Sequence, residues 1–197
     1  NIKNGKRLWQ FSVQRRIVGD CAAENGIVVF GSADSTVYGV SSANGKMIWK
    51  LKTQGPVLGA VRIVNGLAYI GASDNKMRCI DTKTGKEVWE YSGVTGYIVT
   101  RPLVTDGKVI FGAWDNTLYA LDASNGSEVW KWKGGKDGMH FSPASAWPVS
   151  ANGKVFIAAP DRYLTAIDLK TGSTVWRTNA SMVRESIGMS EDGKTIF

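Results

Sequence analysis

An eleven-residue phrase returns along this chain and restricts its fold more than any other feature. Residues 79–89 read CIDTKTGKEVW, 120–130 read ALDASNGSEVW and 166–176 read AIDLKTGSTVW. A weaker copy at 39–49, GVSSANGKMIW, has Ser41 where the others carry Asp81, Asp122 and Asp168. The end of a fifth copy runs from Asn1 through Gly5 to Trp9. The tryptophans Trp9, Trp49, Trp89, Trp130 and Trp176 step by 40, 40, 41 and 46 residues, and Gly5, Gly45, Gly85, Gly126 and Gly172 step identically. A unit of this length built from short β-type runs is the pattern of a propeller blade.

Each unit spells four strands in the same order. A first strand is expected at Val57–Val64 and Ile98–Thr105. The pairs Asn25-Gly26, Asn65-Gly66, Asp106-Gly107, Asn152-Gly153 and Asp192-Gly193 follow, and such pairs accept the positive φ of a two-residue hairpin. Second strands are expected at 27–33, 67–73, 108–114 and 154–160, and third strands at 36–40, 76–80, 117–121 and 163–167. The turns between them hold Asp34, Asp74, Asp115 and Asp161, which recur in phase and read as turn caps. The fourth strand carries the tryptophan, as in KEVWEY at 86–91 and SEVWKW at 127–132.

The repeated phrase has a physical logic. Gly45, Gly85, Gly126 and Gly172 let the chain turn through positive φ, and Asp81, Asp122 and Asp168 can accept bonds from turn amides two or three residues on. An indole at a fixed place in every unit is expected to pack on the neighbouring unit, its N–H finding a backbone acceptor. A ligand site would not repeat in every unit, so the five tryptophans read as structural.

The rest of the composition narrows the function. Lysine and arginine give a formal charge of +7, but they are spread through all units rather than gathered in a stripe with interleaved aromatics, so no nucleic-acid partner is expected. No apolar run reaches the length of a membrane span. Cys21 and Cys79 stand in different units and read as small buried apolar residues. With one histidine, His140, and no Cys-x-x-Cys, a zinc site is not expected. Nucleophile-elbow, P-loop and His-Glu-x-x-His motifs are absent.

The pattern Ala-x-Asp-x-x-Thr-Gly-x-x-x-Trp, clearest at 166–176, resembles the tryptophan-docking motif of the pyrroloquinoline quinone (PQQ)-type β-propellers. The resemblance covers essentially the whole chain. It implies an all-β propeller of four-stranded antiparallel blades, with units at 10–49, 50–89, 90–130 and 131–176 and incomplete blades at 1–9 and 177–197. Propellers of this family have seven or eight blades, so these four and a half are expected to belong to a larger ring completed by blades outside this sequence. The family includes quinoprotein alcohol dehydrogenases, BamB-type scaffolds of outer-membrane protein assembly, and propeller domains attached to kinases and phosphoesterases.

In the dehydrogenases the resemblance implies a quinone held by an adjacent Cys-Cys disulfide, a stacking tryptophan and calcium. No such cysteine pair exists here, and the calcium ligands and catalytic aspartate match no stretch, so no catalytic, cofactor or metal residue is assigned. The places that break the repeat are more informative. The longest step, 130 to 176, carries an insertion at 133–140 that includes His140 and is followed by Trp147. Arg15, Arg16, Tyr97, Arg101, His140, Trp147, Arg184 and Glu185 lie in or beside equivalent segments of successive units. They read either as a basic, partly aromatic rim for an acidic ligand or peptide, or as solvated loops with inner-strand packing.

The expectation is therefore a non-catalytic platform for a protein, peptide or small acidic ligand, without a cofactor. The alternatives are a PQQ- and calcium-dependent dehydrogenase whose site lies outside this stretch, or a sensor domain of a larger enzyme. By resemblance, the location is the periplasm or cell surface.

Overall fold

The computed structural model describes residues 1–134, 143–159, 163–179 and 187–197. They form four separate four-stranded antiparallel sheets. The first holds β1 (Ala22–Glu24), β2 (Ile27–Ser32), β3 (Thr36–Ser41) and β4 (Met47–Lys52). The second holds β5 (Arg62–Val64), β6 (Leu67–Gly71), β7 (Met77–Asp81) and β8 (Glu87–Tyr91). The third holds β9 (Leu103–Thr105), β10 (Lys108–Ala113), β11 (Thr117–Asp122) and β12 (Glu128–Trp132). The fourth holds β13 (Val149–Ala151), β14 (Lys154–Ala159), β15 (Tyr163–Asp168) and β16 (Thr174–Asn179). Strands follow sequence order within each sheet, which makes every sheet a meander and every connection a hairpin.

Local chemistry sets these hairpins. Asn65 and Gly66 have φ of 52° and 77°, and the pair recurs in the same conformation at Asn25-Gly26, Asp106-Gly107 and Asn152-Gly153. Side-chain amides and carboxylates tolerate this left-handed region better than other non-glycine residues. At the repeated phrase, Asp81 accepts bonds from the Thr84 amide at 2.7 Å and the Thr84 hydroxyl at 2.8 Å. Asp168 does the same with Thr171, at 2.8 and 2.9 Å. These bonds hold the Asp81 and Asp168 carboxyls below the ordinary carboxylate value. Ser41 offers a weaker substitute, a single 3.3 Å bond from the Ala43 amide. Immediately after each turn the outer strand carries a bulge opposite Gly39/Val40, Cys79/Ile80, Ala120/Leu121 and Ala166/Ile167. The bulge turns the tryptophan toward the next sheet.

The core lies between the sheets. Val29, Val37 and Trp49 of the first blade pack with Val57, Ala68, Ile70 and Ile80 of the second. Tyr69, Met77, Cys79 and Trp89 pack with Ile98, Val109, Phe111 and Leu121. Ile110, Leu118, Trp130 and Trp132 pack with Ala146, Val155, Ile157 and Ile167. The indole N–H groups of Trp9, Trp49, Trp89 and Trp130 donate to the carbonyls of Ser42, Thr82, Ala123 and Leu169, all in the next unit, at 2.7, 2.6, 3.0 and 3.0 Å. Trp176 differs: it is 40% exposed, against 8%, 8% and 6% for Trp49, Trp89 and Trp130, and it packs on Phe156 of its own blade.

Two expectations need correction. The inner strands are only three residues long, not eight as anticipated at 57–64 and 98–105. Their first halves leave the ladder to bridge two sheets. The Val57 amide donates to the Ser32 carbonyl of the preceding blade, while the Pro56 carbonyl accepts from Ser73 of its own. Ile98 and Tyr97 repeat this with Ala72 and Trp114. Cys21 is exposed rather than buried, while Cys79 is buried as anticipated. Cys21 lies with Val28, Phe30 and Trp9 on the outward face of the first blade, where no preceding sheet packs among the described residues.

The bridge depends on close approach. A β-carbon on Gly71 would overlap the Cγ2 of Ile98, and one on Gly31 would overlap Val57 in the same way. Gly71→Ala is therefore expected to destabilise by about 1–3 kcal/mol through overpacking. Denaturant unfolding checks this, and the double variant with Ile98→Ala should lose less than the two single variants summed.

Candidate functional site: a basic groove on the inner strands

The registers align the inner strands. Ala22, Arg62, Leu103 and Val149 each face the third residue of their second strand, and Met189 forms an isolated bridge with Ile196 at the corresponding place. Counting back two residues puts Asp20, Ala60, Arg101, Trp147 and Ile187 at one level in successive units. Arg101 and Trp147, 46 positions apart in sequence, thus become neighbours across a blade boundary. The Arg101 guanidinium lies 5.5 Å from the centroid of the Trp147 ring. A guanidinium on an indole face gains about 0.5–2 kcal/mol, more where water is excluded.

This pair sits in a groove of about 270 Å³ lined by Arg62, Arg101, Leu103, Trp147, Val149 and Ile187, with Pro102 and Pro148. Prolines at these places suit a segment whose amides have left the ladder. Among the described residues both charged side chains of the lining are arginines, with no carboxylate beside them. The chemistry is that of an anion receptor: two planar forks, one resting on an aromatic plate, over aliphatic walls.

The other rim residues fall elsewhere. Arg15 and Arg16 are exposed on the segment leading to β1, where the Arg15 carbonyl accepts from the Ser32 hydroxyl and the Arg16 carbonyl from the Ala33 amide. Tyr97, exposed, occupies the place equivalent to Arg16. None of the three lines the groove. His140, Arg184 and Glu185 lie outside the described residues, as does Asp161. Arg62 was not anticipated, because β5 reads as an inner strand for packing. Its signal was nonetheless present: a charged residue where the other units have Ala22, Leu103 and Val149.

Two of the turn aspartates, Asp74 and Asp115, are absorbed by structure. Asp115 accepts from the Tyr119 hydroxyl at 2.6 Å, the Thr95 amide at 3.0 Å and the Thr117 amide at 3.1 Å. Asp74 takes both arms of the Arg78 guanidinium at 3.0 and 2.6 Å. Burial pushes the Cys79 thiol up to about 12, so it carries no nucleophile at neutral pH.

The groove does not fit a calcium-held quinone of the dehydrogenase kind. Among the described residues its charged groups are both cations, a face of Trp147 carries Arg101, and the two cysteines are far apart. Among the described residues no group of three or more acidic, histidine or cysteine side chains stands together as a metal cage.

Four-stranded meander blades joined by indole-to-carbonyl bonds define a β-propeller of the PQQ-repeat type. The family model described as outer membrane protein assembly factor BamB matches residues 1–98 and 75–192, and the chain belongs to this PQQ-type propeller family. No curated protein matches the sequence. Among solved structures, BamB from Moraxella catarrhalis superposes with a TM-score of 0.73 at 20% identity, over 87% of this chain and 55% of that one. The quinohemoprotein alcohol dehydrogenase ADHIIG from Pseudomonas putida HK5 gives 0.73 at 19% identity, over 90% of this chain and 36% of the enzyme. The quinohemoprotein alcohol dehydrogenase from Comamonas testosteroni gives 0.72 at 18%, over 89% and 38%. The chain spans about half of the first of these structures and little more than a third of the others. At these identities the likeness shows the fold.

Proposed function

We propose that this propeller is a non-catalytic binding platform that holds an acidic peptide segment or a small carboxylate in the groove of Arg62, Arg101 and Trp147. The observation that carries the reading is the seating of Arg101 on Trp147 beside Arg62, contributed by three successive blades with no carboxylate among the described lining residues. The family description, concerned with assembly of outer-membrane proteins, supports a protein partner and a place outside the cytoplasm, in the periplasm or at the cell surface. Among the described residues no helix is long and apolar enough to cross a membrane. No cofactor enters this reading.

The test is titration of the full-length protein with a fluorescent acidic peptide. Arg101→Ala and Arg62→Ala are each expected to weaken binding at least tenfold, the scale of losing a charge-assisted bond of about 1.5–3 kcal/mol. Melting temperature should fall by a few degrees at most, because neither side chain belongs to an inter-blade core and Arg101→Ala gives up only its contact with Trp147. Equal affinity for the variants and the parent protein would discard the groove as the site. The likeness to two quinohemoprotein dehydrogenases keeps a second reading, in which sequence beyond this stretch supplies a quinone site. Saturable binding of PQQ and calcium with alcohol-dependent dye reduction would establish it in place of the first.

A further inference from the structure

The two arginines of the inner-strand groove differ from the buried arginine of the second blade in what they touch. Arg78, on β7, pairs with Asp74, Glu87 and Glu90. Arg62 and Arg101 are half-buried, yet among the described residues neither guanidinium donates a hydrogen bond or forms an ion pair. Arg101 has the face of Trp147, at 5.5 Å, in place of a carboxylate. Each guanidinium carries five N–H donors and no acceptor. Donors partly withdrawn from water gain most from an anion that presents two oxygens to a planar fork.

The rest of the lining sets what that anion can be attached to. Leu103, Val149, Ile187, Pro102 and Pro148 are apolar, and among the described lining residues no side chain can accept a hydrogen bond. A ligand hydroxyl or ammonium would therefore leave water without a side-chain partner, which is costly. That disfavours a sugar acid and a free amino acid. An internal aspartate or glutamate carries a backbone N–H on either side, and these too would meet aliphatic walls. The last residue of a polypeptide is different. Its carboxylate and its side chain leave the same α-carbon, so an anion and an apolar group enter together with a single N–H. The groove, about 270 Å³, is smaller than the roughly 300–1,000 Å³ of drug-sized pockets and suits one residue.

We infer that the groove holds the C-terminal residue of a partner polypeptide, one with an apolar side chain. The inference rests on the groove being the anion receptor proposed above. Arg62 and Arg101 take the terminal carboxylate, and the side chain lies on Leu103, Val149 and Ile187. Fluorescence titration of the full-length protein tests it, with a labelled hexapeptide of uncharged residues ending in a free leucine carboxylate. The comparison probes are the same peptide amidated at its end, the same peptide ending in serine, and an acidic peptide amidated at its end. The leucine acid is expected to bind saturably and at least tenfold more tightly than the leucine amide or the serine acid, the scale of one charge-assisted bond or one buried aliphatic side chain. Arg101→Lys keeps the charge without the planar fork, and it should weaken the leucine acid severalfold while leaving the amide unchanged. Equal affinity for the leucine acid and its amide would overturn the inference. The acidic amidated peptide binding more tightly than the leucine acid would also overturn it while leaving the anion receptor in place, whereas no binding by any probe would remove both. Unlabelled 4-methylpentanoate displacing the peptide at equal affinity would assign the groove to a free acid and overturn the C-terminal reading.

Discussion

Trp89→Ala is expected to lower the stability of the folded protein by about 3–5 kcal/mol, the range for deleting a large buried aromatic side chain. Trp89 is 8% exposed and lies in the core between the second and third blades, 5.9 Å from the ring of Tyr69. Its six-membered ring rests on Gly126, where an added β-carbon would come within 2.7 Å of the indole. Removal leaves a cavity that two sheets, each held by its own ladder, cannot collapse to fill. The N–H is a smaller part. Trp89→Phe keeps most of the apolar contact and loses the 3.0 Å bond to the Ala123 carbonyl, which the Tyr69 hydroxyl still approaches at 3.4 Å. That variant should cost about 1 kcal/mol beyond its repacking. Equilibrium urea unfolding separates the two, and a loss below 1 kcal/mol for the alanine variant would show that blade contact does not depend on the indole.

The second large effect is expected at Asp74. Arg78 is 4% exposed on β7 and Asp74 is 3% exposed, joined by two parallel bonds. Glu87 at 3.3 Å and Glu90 at 3.0 Å approach the same guanidinium from the outer strand. Deleting one partner of a buried pair costs about 3–5 kcal/mol because the remaining charge stays buried. Asp74→Ala should fall toward the lower end, since two half-exposed glutamates remain. Replacing both residues with apolar side chains should cost less than this single change. The pair also sets an acid limit. Burial pushes the Asp74 carboxyl up, but the Arg78 fork and the amides of Gln54 and Lys76 outweigh it, so the group titrates below its ordinary 3.8. A depressed carboxyl stabilises the fold fully above its unfolded value and loses that contribution as pH falls through its folded value. Stability should therefore drop below about pH 4, and the drop should shrink in an Asp74→Asn variant. An unchanged acid profile in that variant would remove Asp74 from the account.

The repeat made most of the fold legible. The tryptophan–glycine spacing marked the blades, and Asn-Gly pairs marked the hairpins, because both are local requirements of backbone geometry. The site was legible only in part. Arg101 and Trp147 stood out as residues that break the repeat, whereas Arg62 passed for packing because a short inner strand was read as a long one. The truncation arises because Val57 and Ile98 give their amides to the preceding blade. That bond joins residues of different units, and no pattern within one unit announces it.

Residues alone were enough to establish a propeller of four-stranded blades, the turn chemistry of each hairpin and the structural role of the repeated phrase, since all of these follow from periodicity and from what glycine, aspartate and tryptophan can do locally. Three-dimensional packing decided which unrepeated side chains meet. Arg101 reaches Trp147 only because two blades stand side by side. Contacts across a blade boundary depend on distances set by the sheets together, and those distances are not written in any one stretch of the chain.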